Sequence, residues 1–212
     1  MPIKITNHNL MVTIPHAGEK IPDECEWLKQ LPETILMEDV DRFVDVLYLP
    51  TLEKFDIPNI KTLWHRYAVD LNRVPTDIDE ASVVGSKNKK GQFPRGYHWS
   101  MTTKLYPIMP QAISAELHQH LTDLIFTPFH HQIQELQKKM QLQLSENKLP
   151  IKIYHLDLHS MPSLGTSEHR DPGELRADIV VSDSLGKSSE KAFVDKVITS
   201  YCRAGFKVGY NW

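Results

Sequence analysis

The chain has 212 residues, of which 41% are hydrophobic and 24% charged, and its formal net charge is −3. This composition is typical of a globular protein, and we expect a single domain over residues 1–212. No concentrated basic block favours nucleic acid as a partner, and no apolar run is long enough to span a bilayer. The two cysteines, Cys25 and Cys202, form neither a disulfide framework nor a zinc-finger spacing, as is typical of a cytoplasmic protein.

Strands and helices are predicted to alternate along the chain. Hydrophobic patterning indicates strands over residues 11–15, 59–73, 151–160 and 177–183 and from residue 206 onward, and helices over 32–55, 110–126, 127–146 and 188–204. The polar stretch 74–108 is too long for a simple connection, which indicates a functional loop or an excursion with small elements of its own. The alternation predicts an α/β fold with a largely parallel sheet flanked by helices.

Two histidines stand where apolar strands are predicted to end. His16 follows the first strand within Pro15-His16-Ala17-Gly18, and His159 follows the strand in Ile-Tyr-His-Leu-Asp-Leu-His-Ser. Because ligands bind outside the carboxyl ends of strands in open α/β sheets, these histidines and a carboxylate from a nearby helix could form the three-ligand set of a catalytic zinc site. The alternative is that His16 is a turn residue and His159 a hydrogen-bonded core histidine.

The strand before His159 carries further polar side chains. A period of two places His155, Asp157 and His159 on one face, so Asp157 could orient His159 by accepting its second ring N–H. Ser160 points to the opposite face, and no Gly-x-Ser-x-Gly elbow is present. A serine–histidine–aspartate triad is therefore disfavoured.

The segment His-Arg-Tyr-Ala-Val-Asp-Leu-Asn-Arg supplies groups that suit a carboxylate ligand. Asn72 and Arg73 stand together at a predicted strand end, and Arg66 precedes them. An arginine fork matches a carboxylate in a two-pronged geometry. The alternative for Arg73 is an ordinary surface arginine in a turn.

These segments, taken in order, resemble the N-formylglutamate amidohydrolase family. The similar stretches are Pro-His-Ala-Gly at 15–18, Asp-Val-Asp-Arg-Phe-Val-Asp-Val-Leu-Tyr at 39–48, the Asn-Arg segment at 65–73, Lys-Leu-Tyr-Pro at 104–107, Thr-Pro-Phe-His at 127–130 and Asp-Leu-His-Ser-Met-Pro-Ser at 157–163. The resemblance implies a zinc carboxypeptidase/aspartoacylase-like fold with a mixed sheet. It also implies zinc-dependent hydrolysis of an N-acyl amino acid, with N-formyl-L-glutamate as the expected substrate.

The resemblance also implies roles for individual residues. His16, His159 and Asp41 would bind zinc, with Glu19 as the alternative to Asp41, while Asp45 and Asp157 would support the ligands. Asn72, Arg73 and Arg66 would bind the substrate carboxylates, Arg66 would also act near the scissile bond, and His130 is a weaker catalytic candidate.

One feature of the family pattern has no counterpart in this sequence. Relatives continue after a segment like Val-Gly-Tyr-Asn-Trp with a turn and a strand that bears a glutamate, the expected general base. We therefore expect the domain to lack its C-terminal strand and helix, and the strand from residue 206 to lack a partner. The remaining alternatives are a carboxypeptidase-like hydrolase of another acyl amino acid or peptide, and a binding protein without turnover.

Overall fold

A computed structural model describes residues 9–165 and 171–211. The described chain forms two compact units, one ending at Ser160 and the other starting at Met161. The elements of the first unit are β1 (Leu10–Ile14), α1 (Glu26–Lys29), α2 (Glu33–Leu36), α3 (Val44–Lys54), β2 (Asn59–Lys61), α4 (Ala115–Leu121), α5 (Thr127–Glu146) and β3 (Tyr154–Asp157).

The sheet of the first unit is parallel and has the strand order β2-β1-β3. In this sheet Thr13 of β1 is directly opposite Asp157 of β3. The three strands therefore end at the same edge, as the sequence predicts for an α/β fold, and the loops that follow β1 and β3 meet there.

Strand β1 is buried on both faces. Val12 and Ile14 pack in one apolar cluster with Val44 and Leu52 of α3, whereas Met11 belongs to a second cluster that includes residues of α4 and α5. This environment explains why the strand reads as a continuous apolar run, since both sides of a parallel sheet are covered. The single polar side chain of the strand is Thr13, which is 2% exposed.

The predicted helix over residues 32–55 is wrong in its middle. Helix α2 ends at Leu36 and α3 begins at Val44. The break lies before α3 because Phe43 adopts a left-handed conformation, with φ at 67°, which helical residues do not adopt. The apolar positions of this predicted helix are only partly buried, because Phe43 and Leu47 are exposed whereas Val44 lies in the core. Asp41 consequently lies in the turn before α3 rather than on a helix.

The predicted helices over 110–126 and 127–146 form one continuous helical segment. Ser114 caps α4 by accepting a hydrogen bond from the Leu117 N–H, so the start at residue 110 is too early. Residues Thr122–Phe126 form a π-helical turn that runs directly into α5. Pro128 has no N–H to donate, and the widened turn before it accommodates the missing hydrogen bond. The chain therefore continues without the predicted restart at Thr127. No helix that the structure describes is long and apolar enough to cross a bilayer.

The strand predicted over residues 59–73 is confirmed only for β2. After Lys61 the chain makes turns in which Tyr67, Ala68, Val69 and Leu71 are all buried. Their apolar pattern reflects burial on several sides rather than a strand. Residues 74–108 form an excursion with isolated bridges, organised by the buried Asp79 carboxylate, which accepts the N–H groups of three loop residues: Ala81, Gly91 and Phe93.

The second unit contains β4 (Ile179–Val181), α6 (Lys191–Arg203) and β5 (Val208–Tyr210). Strands β4 and β5 pair in parallel, so the strand from residue 206 does have a partner, contrary to expectation. The pairing is reinforced by Asp183, which accepts hydrogen bonds from the Tyr210 hydroxyl and the Asn211 amide. Trp212 lies outside the described residues.

His98 should make the fold sensitive to acid. Its Nδ1–H donates to the Ala68 carbonyl, His118 lies 2.8 Å from its Nε2, and burial lowers the pKa of His98 to about 4. The unfolded chain therefore binds a proton more readily, so the stabilisation is present above about pH 6.5 and is lost as the pH falls towards about 4. Between about pH 8 and about pH 5, we predict that the unfolding free energy of His98→Gln falls by about 2 kcal/mol less than that of the wild type.

The measurement is urea unfolding at both pH values. His131→Gln is the matched control, because His131 is an exposed residue of α5, and it should keep the wild-type pH dependence. Parallel pH profiles for wild type and His98→Gln would contradict the prediction.

Candidate functional site

Three side chains that could bind a metal meet at the carboxyl edge of the sheet: His16 after β1, His159 after β3 and Asp41 before α3. The two Nδ1 atoms of the histidines are 3.2 Å apart. The Asp41 Oδ2 lies 2.9 Å from the His159 Nδ1 and 3.7 Å from the His16 Nδ1. The structure thus brings together the two histidines and Asp41, the preferred acid of the sequence analysis.

The backbone around His16 explains the small residues that follow it. A Cβ on Gly18 would lie 2.5 Å from the backbone of Leu63 and Trp64, so only glycine fits where these two loops cross. The Asp41 N–H donates to the His16 carbonyl at 3.0 Å. These two contacts fix His16 against the loop after β2 and place Asp41 beside it.

The outer ring nitrogens of both histidines face carboxylates. The His16 Nε2 lies 3.0 Å from the Asp70 Oδ1, and the His159 Nε2 lies 3.0 Å from the Asp157 Oδ2. Because an ionised carboxylate only accepts hydrogen bonds, the His16 Nε2 carries a hydrogen, and in the metal-free protein both His159 nitrogens carry one, since its Nδ1 faces Asp41 and its Nε2 faces Asp157. The His16 Nδ1 then directs a lone pair towards the His159 Nδ1–H. Without that proton, two Nδ1 lone pairs and the Asp41 carboxylate would face one another, an arrangement that suits a metal ion.

The electrostatics of the site favour that cation. Burial alone would raise the pKa of Asp41, but hydrogen bonds with His159 and His16 hold it below its usual range. Burial opposes the charged form of His159 as well, yet its bonds to Asp157 and Asp41 raise its pKa to about 9. In the metal-free protein a proton on His159 therefore neutralises the cluster, and a metal ion must displace that proton.

The donor chemistry fits zinc. Two neutral imidazoles and one carboxylate are ligands that zinc accepts, and a set of three protein ligands is typical of catalytic rather than structural zinc sites. The outer carboxylates correspond to the partners that usually orient histidine ligands and strengthen them as bases. The sequence pattern indicates that role for Asp157 but gives no sign of it for Asp70.

Asp70 is the most thoroughly bound carboxylate of the site, at 1% exposure. It accepts hydrogen bonds from the Arg66 Nη2 at 2.9 Å, the Trp99 Nε1 at 3.0 Å and the Asn72 N–H at 3.0 Å, besides its contact with His16. Burial would raise the pKa of Asp70, but its bond to His16 and the Arg66 charge keep it low. Asp70 therefore remains ionised and holds His16 with its Nδ1 facing inward.

Glu19 and Asp45 lie outside this cluster. Glu19 is paired with Arg42 at 3.2 Å, and Asp45 with Lys61 at 2.9 Å. Both carboxylates instead line a surface groove of about 410 Å³ beside α3. Its lining consists of Ala17, Gly18, Glu19, Lys20, Phe43, Asp45, Val46, Lys61, Thr62 and Leu63.

The predicted substrate-binding and catalytic residues are placed in three different ways. The Arg66 guanidinium is engaged by Asp70, stacks over the Trp99 ring at 4.6 Å and donates to the Asp39 carbonyl. The side chain of Arg73 is exposed and forms no ion pair with any residue that the structure describes. The side chains of Asn72 and His130 form hydrogen bonds with neighbouring groups of the protein. Asn72 donates to the Asp157 Oδ2 at 2.7 Å, and the His130 Nε2 lies 3.0 Å from the Leu71 carbonyl.

Trp99 is a residue of the site that sequence reasoning missed. It lies in the polar excursion, far along the chain from Asp70, and no periodic signal marks it. The indole N–H of a buried tryptophan usually has an acceptor, and that preference points to a carboxylate or carbonyl nearby. In the folded chain the acceptor is Asp70.

The sequence of this chain matches the profile of a described protein family. A sequence profile described as N-formylglutamate amidohydrolase matches residues 8–212. Comparison with curated proteins gives no match.

Two solved structures are similar in fold. An N-formylglutamate amidohydrolase from Ralstonia eutropha JMP134 is 22% identical, with a TM-score of 0.78 over 96% of this chain and 71% of that chain. A gene product of Agrobacterium tumefaciens is 15% identical, with a TM-score of 0.64 over 96% of this chain and 68% of that chain. At these identities the likeness concerns the fold.

The cluster should bind one zinc ion per chain. We predict that His16→Ala, His159→Ala and Asp41→Asn each abolish stoichiometric zinc binding, because each removes one of three ligands. Asp70→Asn should weaken zinc affinity about ten- to hundredfold, since it removes the charged acceptor behind His16. Metal analysis and chelator competition on the purified proteins provide the measurement.

Glu19→Gln is the matched control, because it changes the other acid proposed from the sequence and leaves the cluster intact. It should bind zinc as the wild type does. If Glu19→Gln loses zinc while Asp41→Asn retains it, the assignment of the third ligand is wrong.

Proposed function

The chain belongs to the N-formylglutamate amidohydrolase family, and we propose that it hydrolyses the amide bond of N-formyl-L-glutamate, giving glutamate and formate, in a zinc-dependent reaction. The observation that carries the proposal is the convergence of the His16 Nδ1, the His159 Nδ1 and the Asp41 Oδ2 at the carboxyl edge of the sheet. Such a site suits hydrolysis because it leaves a coordination position free.

A bound zinc ion would supply Lewis acidity, which polarises the scissile carbonyl and acidifies water. The chain's own residues define where that chemistry takes place. His16 and His159 direct their Nδ1 atoms to one point, and Asp41 adds a negative charge there. Asp70 and Asp157 hold the two rings from behind, so the site is organised before substrate arrives.

Arg73 supports recognition of an acidic substrate. It follows Asp70 by three residues in a turn whose backbone is fixed, since the Arg73 N–H donates to the Asp70 carbonyl at 3.1 Å. Its guanidinium is exposed, whereas the Arg66 guanidinium is already bound to Asp70. We therefore assign the principal carboxylate contact to Arg73, and to Arg66 the task of fixing Asp70. The Asn72 Nδ2 lies 2.7 Å from the Asp157 Oδ2 and 3.1 Å from the His159 Nε2, and an N–H that Asp157 does not use would meet a substrate carboxylate beside the His159 ring.

The His130 side chain contributes indirectly in this proposal. Its Nε2–H donates to the Leu71 carbonyl, between Asp70 and Asn72 in the chain. Burial lowers the pKa of His130, so the ring remains neutral and keeps the turn in place. A positioning role thus accounts for its contacts better than proton transfer does.

Turnover should depend on the cluster. We predict that the zinc-loaded protein releases formate from N-formyl-L-glutamate, that chelation stops the reaction and that added zinc restores it. His159→Ala should show no turnover above background, because it removes a ligand. Enzymatic determination of formate provides the measurement, with N-acetyl-L-glutamate and a dipeptide as competing substrates.

Asp45→Asn serves as the control variant for this assay. Asp45 pairs with Lys61 outside the cluster, so its loss should leave turnover unchanged. A zinc-loaded wild type that binds but does not hydrolyse these compounds would contradict the enzymatic proposal, and preference for the acetyl compound or the dipeptide would contradict the choice of substrate.

Arg73→Lys should weaken binding of dicarboxylic ligands. An ammonium group cannot reproduce the two-pronged contact of a guanidinium. Loss of one charge-assisted hydrogen bond, about 1.5–3 kcal/mol, corresponds to about ten- to hundredfold in Kd for L-glutamate. Titration calorimetry measures this change. Arg42→Lys is the control, because Arg42 is also an exposed arginine but pairs with Glu19; equal affinities of wild type and Arg73→Lys would rule out the contact.

A further inference from the structure

We propose that Thr13 is a positioning residue for His159 and acts through the carboxylate of Asp157. The inference rests on the proposed metal site, because it concerns how one of its ligands is held. The observation behind it is a chain of hydrogen bonds across the sheet, from β1 to the loop after β3, in which Thr13, Asp157 and His159 follow one another.

The direction of the Thr13 hydroxyl is determined by its two neighbours. Its Oγ1 contacts the Asp157 Oδ1 and lies 2.7 Å from the His155 Nε2. Because the carboxylate can only accept, the hydroxyl hydrogen must be donated to Asp157. The oxygen lone pair of Thr13 is then left for the His155 N–H, which fixes the hydroxyl in one orientation.

The second oxygen of Asp157 carries the functional contact. The Oδ2 accepts the His159 Nε2–H at 3.0 Å and the Asn72 Nδ2–H at 2.7 Å. Thr13 therefore holds one end of the carboxylate while His159 is bound by the other. If Asp157 could turn about its Cβ–Cγ bond, the His159 ring would lose its support and its Nδ1 would no longer point steadily at the metal position.

The identity of residue 13 supports this role. The strand reads Leu-Met-Val-Thr-Ile, and Thr13 is 2% exposed between aliphatic neighbours. Valine has the same shape and would be buried there without the desolvation cost of a hydroxyl. A threonine in this position is favoured only where its hydroxyl has partners, and the partners here belong to the strand that leads to His159. The backbone register places Thr13, on the buried central strand β1, directly opposite Asp157 of β3, which gives the carboxylate a rigid support.

The test compares Thr13→Val, which removes only the hydroxyl, with Thr13→Ser, which retains it. Zinc affinity is measured by chelator competition, and ligand geometry by the visible absorption spectrum of the cobalt-substituted protein. We expect Thr13→Val to weaken zinc affinity about tenfold, which is within the range of losses found when a partner behind a metal ligand is removed. We also expect it to change the cobalt spectrum. Thr13→Ser should keep the wild-type affinity and spectrum.

Thr122→Val controls for the general effect of losing a buried threonine hydroxyl. Thr122 lies in the π-helical turn, where it donates to the His118 carbonyl at 2.8 Å and accepts from the Tyr97 hydroxyl at 3.0 Å. This variant should be less stable to urea but should bind metal normally.

The outcomes separate the inference from the proposed function. A wild type that binds no zinc would overturn the metal site, and with it the role of Thr13. A wild type that binds zinc, beside a Thr13→Val variant of equal affinity and identical cobalt spectrum, would overturn the role of Thr13 alone. Equal losses of affinity in Thr13→Val and Thr122→Val would overturn it too, because general destabilisation would then explain both.

Discussion

The site depends on one electrostatic constraint: three electron-rich atoms converge where the strands end, and carboxylates prevent the histidines from turning away. Bonding of the His16 and His159 Nε2–H groups to Asp70 and Asp157 turns both Nδ1 atoms to the centre, where His159 holds a proton against Asp41 until a metal ion displaces it. Asp41 adds a charge that burial alone would disfavour. The arrangement is stable only with a cation at its centre, and this requirement links the fold to the proposed chemistry.

The surrounding structure serves to hold that arrangement. Behind His16, Asp70 is fixed by Arg66 and Trp99, which come from two separate loops. Behind His159, Asp157 is fixed by groups on β1 and on the turn after Asp70. The parallel sheet makes this possible because it brings the ends of its strands to one edge, where loops distant in sequence can share side chains. The long excursion between Arg73 and α4 is therefore part of the site's support, through its tryptophan, as well as a covering for the core.

The sequence was sufficient to predict the class of fold and the side chains that converge at the candidate metal site, because these leave strong local signals. A histidine after an apolar strand is visible without a structure, and the alternation of strands and helices predicts a parallel sheet. The order of the motifs also predicted the family correctly. What could not be predicted depends on contacts between distant segments. The break before α3 arises from the left-handed conformation of Phe43. The contact between Asp70 and His16 forms only when the turns after β2 are folded. The contact of the Asn72 amide with Asp157 is another that no local pattern indicates.

The most direct test of this account is anomalous diffraction at the zinc absorption edge, recorded from crystals of the zinc-loaded protein. The account predicts a single peak in the first unit, ligated by the Nδ1 atoms of His16 and His159 and by a carboxylate oxygen of Asp41, at about 2.0–2.2 Å from each. It also predicts that both Nε2 atoms keep their contacts with Asp70 and Asp157. A peak ligated through an Nε2 atom, a peak at Glu19, or no peak at this edge of the sheet would contradict it.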